Sequence, residues 1–403
     1  MADKVDVVVV GSGALGSSTA FHLAKAGRSV MLVDKAEIGS QTSPRAAGLT
    51  GQVRRTEMMT RLAKRAVDKF VAFTEETGEP LEFHQSGSIT LARTPEHAAL
   101  IRGAADLATH CGVEARLISP QEAHELMPLL QPKGILAAGY VPSDVYMEPA
   151  QLAVAYARAA ERLGSEVVPN TAVREIVVED AAVSRVVTDS GEIRTSAVVD
   201  AAGGWLRVVA SFAGVRVPVV PTKHQLMITV PLPAVNDTQP TVRVLDANAY
   251  LRPCRGGLMF GGYEKAPEQL KSDEALLKLR VEDLKFDLSV LRDLAEKVYE
   301  QFPVLRGIEL QEHRGGLPTL TVDGDHVLGP APGVNGLYVL GGCNVGGFSV
   351  SPVLGELMAE WIVSGKAPMD LSRFNPARFA GDLTEADIHE MARQRYANYY
   401  AGS

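Results

Sequence analysis

Apolar residues run unbroken from Val7 to Val10, and a β-branched run of that length reads as a strand buried on both faces. Three glycines follow at G-x-G-x-x-G spacing, Gly11, Gly13 and Gly16. Ala20, Leu23 and Ala24 then recur at helical spacing until Gly27 offers a stop. Ser29 to Val33 form a second apolar strand, closed by Asp34. The pattern predicts one complete strand–helix–strand unit. Gly11 allows the tight turn, Gly13 admits a pyrophosphate to the backbone, and Gly16 lets helix and strand pack closely. The helix N-terminus supplies N–H groups and partial positive charge. Asp34 stands where a carboxylate accepts hydrogen bonds from an adenosine ribose.

The segment after Asp34, KAEIGSQTSPRAAGLTGQVRR, is rich in small residues, with turn chemistry at Thr42, Ser43 and Pro44. It reads either as a surface loop leading into a helix over 58–74 or, the reading favoured here, as a wall for a large flat ligand at Arg45, Ala46, Ala47 and Gly48. Helices are expected over 96–111 and 120–126, with a strand over 88–91. A helix over 150–163, a stop at Gly164 and a strand over 166–168 make another αβ step, and a meander over 173–178, 184–188 and 192–194 leads into AVVDAAGGW, residues 197–205. That stretch reads as a buried strand feeding a glycine turn. Residues 215–262 alternate with period two and predict a separate antiparallel sheet. Residues 267–302 read as helical, with Leu288, Leu291, Leu294, Ala295 and Val298 as a core stripe. Strands over 308–313 and 336–340 follow, and the glycines 341, 342, 346 and 347 open a helix over 352–363. The tail, 383–403, reads as an added helix capped by Thr384 and Asp387. Antiparallel segments separate the αβ ones, so the nucleotide-binding domain must be discontinuous.

At 403 residues the chain is too long for one ordinary core, and two intertwined domains are expected. The net charge of −8 comes without a basic cluster that could track a phosphate backbone, which argues against nucleic acid as a partner. No apolar run reaches the length of a membrane span, and the opening MADKVDV leads directly into the first strand. A cytoplasmic location is expected. Cys111, Cys254 and Cys343 are scattered without metal-ligand spacing, so they read as buried thiols and no metal site is expected.

The opening βαβ unit, SPRAAGL, VVDAAGGW and GGCNVGGFSVSPVLGELMAEWIVSGKAPMDLSRFNPARF together resemble the D-amino-acid oxidase superfamily of FAD-dependent oxidoreductases over nearly the whole chain. VPTKHQLMIT followed by AYLRPCRGGLMFGGYE resembles its dimethylglycine and sarcosine oxidising branch. The resemblance implies an α/β (α+β overall) fold: a discontinuous Rossmann-like FAD-binding domain (1–80, 145–214, 318–380), a substrate domain on a mixed or antiparallel sheet (81–144, 215–317) and a C-terminal helical extension (381–403). It assigns Gly11, Gly13, Ala14, Leu15, Gly16, Asp34 and Lys35 to the pyrophosphate and adenosine half of FAD. Ser43, Arg45, Ala46, Ala47, Gly48 and Leu49 fall to the flavin, Val173 to the adenine, and Ala202, Gly203 and Trp205 to the middle of the cofactor. Val345, Gly346, Gly347, Phe348 and Ser349 would set backbone N–H groups against the flavin carbonyl edge.

Departures from the family pattern also carry information. Arg45 stands where dimethylglycine dehydrogenases carry a histidine joined to FAD, and RGGLPTLTVDGDHVLG lacks the cysteine used by monomeric sarcosine oxidases, so non-covalent FAD is expected. Leu317 replaces the arginine that binds the substrate carboxylate in glycine oxidases, and Met259 stands where sarcosine oxidases place an oxygen-activating lysine. The implied reaction is oxidation of the C–N bond of a secondary or tertiary amine or N-methyl amino acid, by hydride transfer to flavin N5 and hydrolysis of the imine. His224 would be the proton acceptor and Tyr250 the substrate contact, although a core histidine and a plain strand tyrosine fit the pattern too. Arg252, on the same strand face as Tyr250, could take over the carboxylate. Expected partners are a small amine or amino-acid substrate and either oxygen or an electron-accepting protein, with an oligomer compatible. The alternatives are an FAD-carrying subunit of a heteromeric amino-acid dehydrogenase and an NAD(P)-dependent dehydrogenase.

Overall fold

Strand Val7–Val10 lies at the centre of a six-stranded sheet, paired in parallel with Val30–Val33 on one side and Ala197–Asp200 on the other. Glu166–Val168 and Leu337–Gly341 extend the sheet in parallel, and Val327–Pro330 runs antiparallel at one edge. The structure is a computed structural model and describes residues 3–379 and 381–400. All residues of the three central strands are buried, as their continuous apolar runs require of a sheet covered on both faces. Val7 and Val9 pack with the helices Ala14–Lys25, Ala150–Arg162 and Gly347–Ser364. Val8 and Val10 pack with the meander 173–194 and the short helix Leu206–Ser211. A Cβ on Gly16 would stand 1.8 Å from the Gly11 carbonyl oxygen, so the first helix meets its own turn only because that position is glycine.

The second sheet has eight strands, in the order Leu310–Gly316, His224–Thr229, Gly257–Gly262, Ala249–Cys254, Thr241–Val244, Ser88–Ala92, Ala137–Val141 and Arg116–Ile118. It is antiparallel except where Thr241–Val244 runs parallel to Ser88–Ala92. Val219–Pro221, expected in this sheet, instead pairs with Thr319–Thr321 as a separate ribbon.

Two further expectations need correction. Residues 267–302 are not one helical region: they hold the short helix Glu274–Lys278, a single turn at Val281–Asp283 and the helix Leu288–Glu296. Asp273 and Asp287 each cap a new helix, accepting from the backbone N–H of Ala275 (3.0 Å) and Ser289 (2.9 Å), and Leu276 and Val281 turn in against Trp205. The expected stripe is real within the last helix, where Leu291, Leu294 and Ala295 are buried. The long helix near the end begins at Gly347, a turn before Pro352. Proline cannot bond back to Phe348, whose carbonyl instead accepts the Ser351 hydroxyl at 2.9 Å.

The C-terminal helix spans Glu385–Ala397 with the expected Thr384–Asp387 capping box, while residues 401–403 of the expected tail lie outside the described residues. Ile388, Ala392 and Tyr396 recur at helical spacing, are buried, and pack on Val220, Leu320 and Val322, so the helix lies on the small ribbon and reaches the larger sheet.

Candidate functional site

Two clefts adjoin, with Thr42 lining both. The first, about 850 Å³ of open space, lies where Gly11, Gly13, Asp34, Lys35, Val173 and Arg174 meet. Ala202, Gly203 and Trp205 form its far wall. Asp34 accepts from the Ser12 N–H and hydroxyl, both at 2.7 Å, and from the Ala36 N–H at 2.9 Å. A carboxylate has about four acceptor positions, which leaves capacity for a ribose hydroxyl. Burial raises this carboxyl above its usual range against the pull of the Ser12 bonds. Lys35 Nζ lies 3.9 Å above the Trp205 ring and donates to the Leu277 and Leu279 carbonyls at 3.0 and 2.7 Å. It thereby ties the 270s segment over the cleft, and burial lowers its amine to about 8. The glycine turn, an acid with spare acceptor capacity and a helix N-terminus opening on one cleft fit a dinucleotide.

Several residues fall elsewhere than expected. Ser43 lies in the first cleft, not with the flavin segment, and its hydroxyl accepts the Ala14 N–H at 3.0 Å. Ala14, Leu15 and Gly16 line neither cleft and form the helix behind the turn; Gly347 likewise packs against Cys343.

The second cleft, about 760 Å³, is lined by Arg45, Ala46, Ala47, Gly48 and Leu49 on one side. Val345, Gly346, Phe348 and Ser349 face them, with His224 and Tyr250 between. Asn344 and Val345 adopt left-handed φ of 47° and 69°, a strained state for a β-branched valine. The Asn344 side chain holds that bend, accepting the Thr321 N–H at 2.9 Å and donating to the Gly342 carbonyl at 2.8 Å. The helix that follows has no side-chain cap, so its N-terminus opens on this cleft.

Arg252 does not line the cleft. Its side chain is 1% exposed and donates to the carbonyls of Ala47 (2.7 Å), Pro253 (2.7 Å) and Met147 (3.3 Å) and to Glu148 (2.8 Å). The expectation that it receives a substrate carboxylate fails, because its donors already hold the wall from behind. Gly48, at φ 69°, completes that wall: a Cβ there would sit 1.9 Å from the Met147 carbonyl oxygen. Glu148 also pairs with Arg255 at 3.0 Å; burial would raise its carboxyl, but the hydrogen bond from Arg252 and the surrounding guanidinium groups bring it down to about 2.

His224 is buried between two hydroxyls. Its Nε2 lies 2.8 Å from Tyr250 and its Nδ1 2.7 Å from Tyr396 on the C-terminal helix, and the Tyr396 hydroxyl donates to Glu264 at 2.8 Å. Burial lowers its imidazole to about 4, which keeps it neutral at pH 7. Tyr263 stacks on it at 5.1 Å. His313 is bonded to Gln225 at 2.8 Å, Arg314 donates to the Ala46 carbonyl at 3.3 Å, and His326 is buried beside Phe374 outside both clefts.

Sequence reasoning missed Arg54, Arg243, Tyr263, Tyr399 and Tyr400, all of which line the second cleft. Arg54 donates to Ser349 at 3.1 Å. Arg243 faces Tyr250 across the strand pair and makes no hydrogen bond or ion pair among the described residues. The signal for it was an arginine inside the otherwise buried strand Thr241–Val244. Tyr399 and Tyr400 had no comparable signal, since the tail reaches this sheet only in three dimensions, whereas Tyr263 directly follows strand Gly257–Gly262. The three side chains His22, Glu76 and Glu356 bring possible metal-ligating atoms within 4.8 Å of one another. Lys69 bonds both carboxylates there, at 2.9 and 3.2 Å, which makes the group an ion-pair network.

The sheets and clefts define a class, and the comparisons agree on it. The family of FAD-dependent oxidoreductases described as DAO matches residues 6–361, and the chain belongs to it. Its cofactor is FAD, which sets aside the nicotinamide alternative. Among particular proteins, the chain is 31% identical to mitochondrial dimethylglycine dehydrogenase of Mus musculus over 404 residues, covering 98% of this chain and 46% of that protein. It is 31% identical to mitochondrial sarcosine dehydrogenase of Homo sapiens over 407 residues, covering 98% and 44%. The chain thus spans about half the length of the curated relatives it matches. L-proline dehydrogenase from P. horikoshii superposes with a TM-score of 0.85 at 28% identity, covering 94% of this chain and 98% of that one.

Proposed function

We propose that this chain oxidises the C–N bond of a secondary or tertiary amine that carries a carboxylate, an N-methyl or other N-alkyl amino acid, with non-covalently bound FAD. The observation that carries the reading is the meeting, in one cleft, of the His224–Tyr250 pair, the unpaired Arg243 and an uncapped helix N-terminus. Bound FAD supplies the acceptor for the hydride that leaves the carbon beside nitrogen. The Gly11–Gly13 turn and Asp34 would hold its dinucleotide half. The Ala46–Leu49 wall and the loop 345–349 would hold the flavin, with helix N–H groups favouring negative charge on the ring edge.

The remaining tasks belong to side chains. Arg45, Arg54 and Arg243 line the cleft without a carboxylate among the described lining residues, so the field draws a carboxylate and disfavours an ammonium. Arg45 is paired with Glu282 at 3.6 Å and Arg54 is bonded to Ser349, which leaves Arg243 to take the carboxylate in the role first assigned to Arg252. Tyrosines 250, 263, 399 and 400 give N-alkyl groups apolar walls. Tyr250 and the neutral His224 receive the amine's proton, so that the nitrogen lone pair is free when hydride departs.

The domain segments and the cytoplasmic location are part of the same proposal; three buried free thiols, Cys111, Cys254 and Cys343, support a reducing compartment. Met259, packed with Leu226, Ile228 and Cys254 behind the cleft wall, supplies no cation for oxygen chemistry. That favours, as a second reading of the acceptor, an FAD-carrying subunit that passes electrons to a partner protein. The test is anaerobic bleaching of the purified flavoprotein by amines with and without a carboxylate. N-methyl amino acids should bleach it, and bleaching by none of the amines sinks the proposal. Reoxidation by an artificial acceptor but not by oxygen would support the second reading.

A further inference from the structure

The hydrogen-bonded series that starts at Tyr250 does not end at His224. It continues through Tyr396 on the C-terminal helix to Glu264, which is half-buried just past strand Gly257–Gly262 and beside the exposed Lys265. The three links measure 2.8, 2.7 and 2.8 Å, and they join the cleft, the sheet and the tail. Each group has limited freedom, and together they set a direction. A carboxylate can only accept, so Tyr396 donates to Glu264. A phenol has one proton, so the Tyr396 oxygen must accept from His224, which places the ring proton on Nδ1. His224 Nε2 is then the bare nitrogen, and it accepts from the Tyr250 hydroxyl. Tyr250 is left with its oxygen lone pairs for the cleft. Every hydrogen in the series points away from the cleft and toward Glu264.

The geometry points to a proton relay in which Tyr396 and Glu264 fix the Nδ1–H form of His224 and carry the substrate amine's proton from Tyr250 out to Glu264. The inference rests on the proposed oxidation of an amine. In the step itself the ammonium N–H breaks as a new Tyr250 O–H forms, and the old Tyr250 O–H breaks as Nε2–H forms. His224 Nδ1–H breaks as a Tyr396 O–H forms, and the old Tyr396 O–H breaks as the Glu264 carboxyl O–H forms. One proton moves in at the amine and one is held at Glu264; no electrons move. Exchange of that proton with water and return of His224 to its Nδ1–H form complete the cycle.

A relay accounts for an otherwise awkward placement. Burial makes His224 a weak base, so an imidazolium that lasted would be costly, whereas a shift along the series needs no lasting charge on the ring. Burial also raises the Glu264 carboxyl, which makes it a better terminal acceptor than an exposed glutamate. The titratable or charged groups facing the series are Tyr263, Tyr399, Tyr400, Arg243, Arg252 and Arg314 around Tyr250, with Tyr263 also stacked on His224. No carboxylate other than Glu264 is bonded to the series among the described residues. Tyr396 and Glu264 are positioning residues, since they act through His224.

The test uses the FAD-loaded full chain and two variants. Tyr396→Phe keeps the ring and cuts the series; Glu264→Gln keeps an acceptor for Tyr396 and removes the base. At pH 7 anaerobic flavin reduction by an N-methyl amino acid should slow about a hundredfold in both. The rates should converge with wild type once the pH exceeds the pKa of the substrate amine, and the number of protons contributing to the solvent isotope effect should fall. Equal slowing at every pH with an unchanged isotope effect would show packing alone and overturn the relay, as would an unchanged rate. Nitrogen NMR of His224 supplies a readout that needs no turnover: Nδ1 should carry the proton in wild type, and the two nitrogens should become mixed in Glu264→Gln. A proton on Nε2 in wild type overturns the relay whatever the substrate. If no amine reduces the wild-type enzyme, the proposed reaction fails, and the nitrogen signals still decide the direction of the series.

Discussion

His224 Nδ1 lies 2.7 Å from the hydroxyl of Tyr396, a contact between residues 172 positions apart that joins the substrate-side sheet to the C-terminal helix. The helix therefore packs against this histidine and helps to bury it.

Enclosure has a pH signature. The folded protein holds His224 at about 4, below the ordinary 6.5. Between those values the unfolded chain binds the extra proton and the folded one does not, so stability rises with pH through this window and is lost as pH falls from 6.5 toward 4. The shift corresponds to about 3 kcal/mol at most. His22 and His326, both held at about 3 by burial, add in the same sense. Urea unfolding at several pH values should show a shallower acid slope in His224→Gln than in wild type; parallel curves would contradict the burial of a neutral ring.

Arg243 makes no hydrogen bond or ion pair among the described residues, and its removal should act on the substrate rather than the fold. Arg243→Ala should weaken binding of an N-methyl amino acid by about 1.5–3 kcal/mol, seen as a raised Kd for flavin reduction. A carboxylate-free amine should be unaffected. Acetate should perturb the flavin spectrum of wild type and not of the variant. Loss of FAD in place of these effects would assign the guanidinium to the cofactor.

Arg252 predicts the opposite pattern. With its donors committed to Ala47, Met147, Pro253 and Glu148, Arg252→Met should lower stability by about 3 kcal/mol by leaving Glu148 and the wall unpartnered. It should also loosen FAD, while the remaining loaded enzyme keeps its preference for a carboxylate. Thermal melts, FAD retention and the two-amine comparison read these separately. A lost carboxylate preference in a stable protein would restore Arg252 to the substrate.

Much of the first cleft could be read from the chain because its parts are local. The buried run Val7–Val10, the glycine turn and Asp34 fall within one βαβ unit, where spacing and period carry the information. The same locality located most strands of the second sheet. Reading failed over 267–302, where apolar residues served two different cores and caps at Asp273 and Asp287 broke what looked like one helix. It also gave Arg252 the wrong role. Period two says that Tyr250 and Arg252 share a face, but it cannot say that Glu148 and three carbonyls wait beside one of them.

The sequence by itself determined the dinucleotide unit and the two kinds of sheet, because strand and helix periods and glycine turns are properties of neighbours along the chain, whereas His224 and Tyr250 were pointed to only by the family resemblance of the strands that carry them. Tertiary structure alone decided which arginine faces the cleft, that Ser43 belongs to the helix N-terminus of the first cleft, and that Tyr396 and Glu264 complete the surroundings of His224. Those are contacts between segments far apart in sequence. They are set by how the tail packs on the ribbon and how the wall at Gly48 meets Met147, and no local pattern records them.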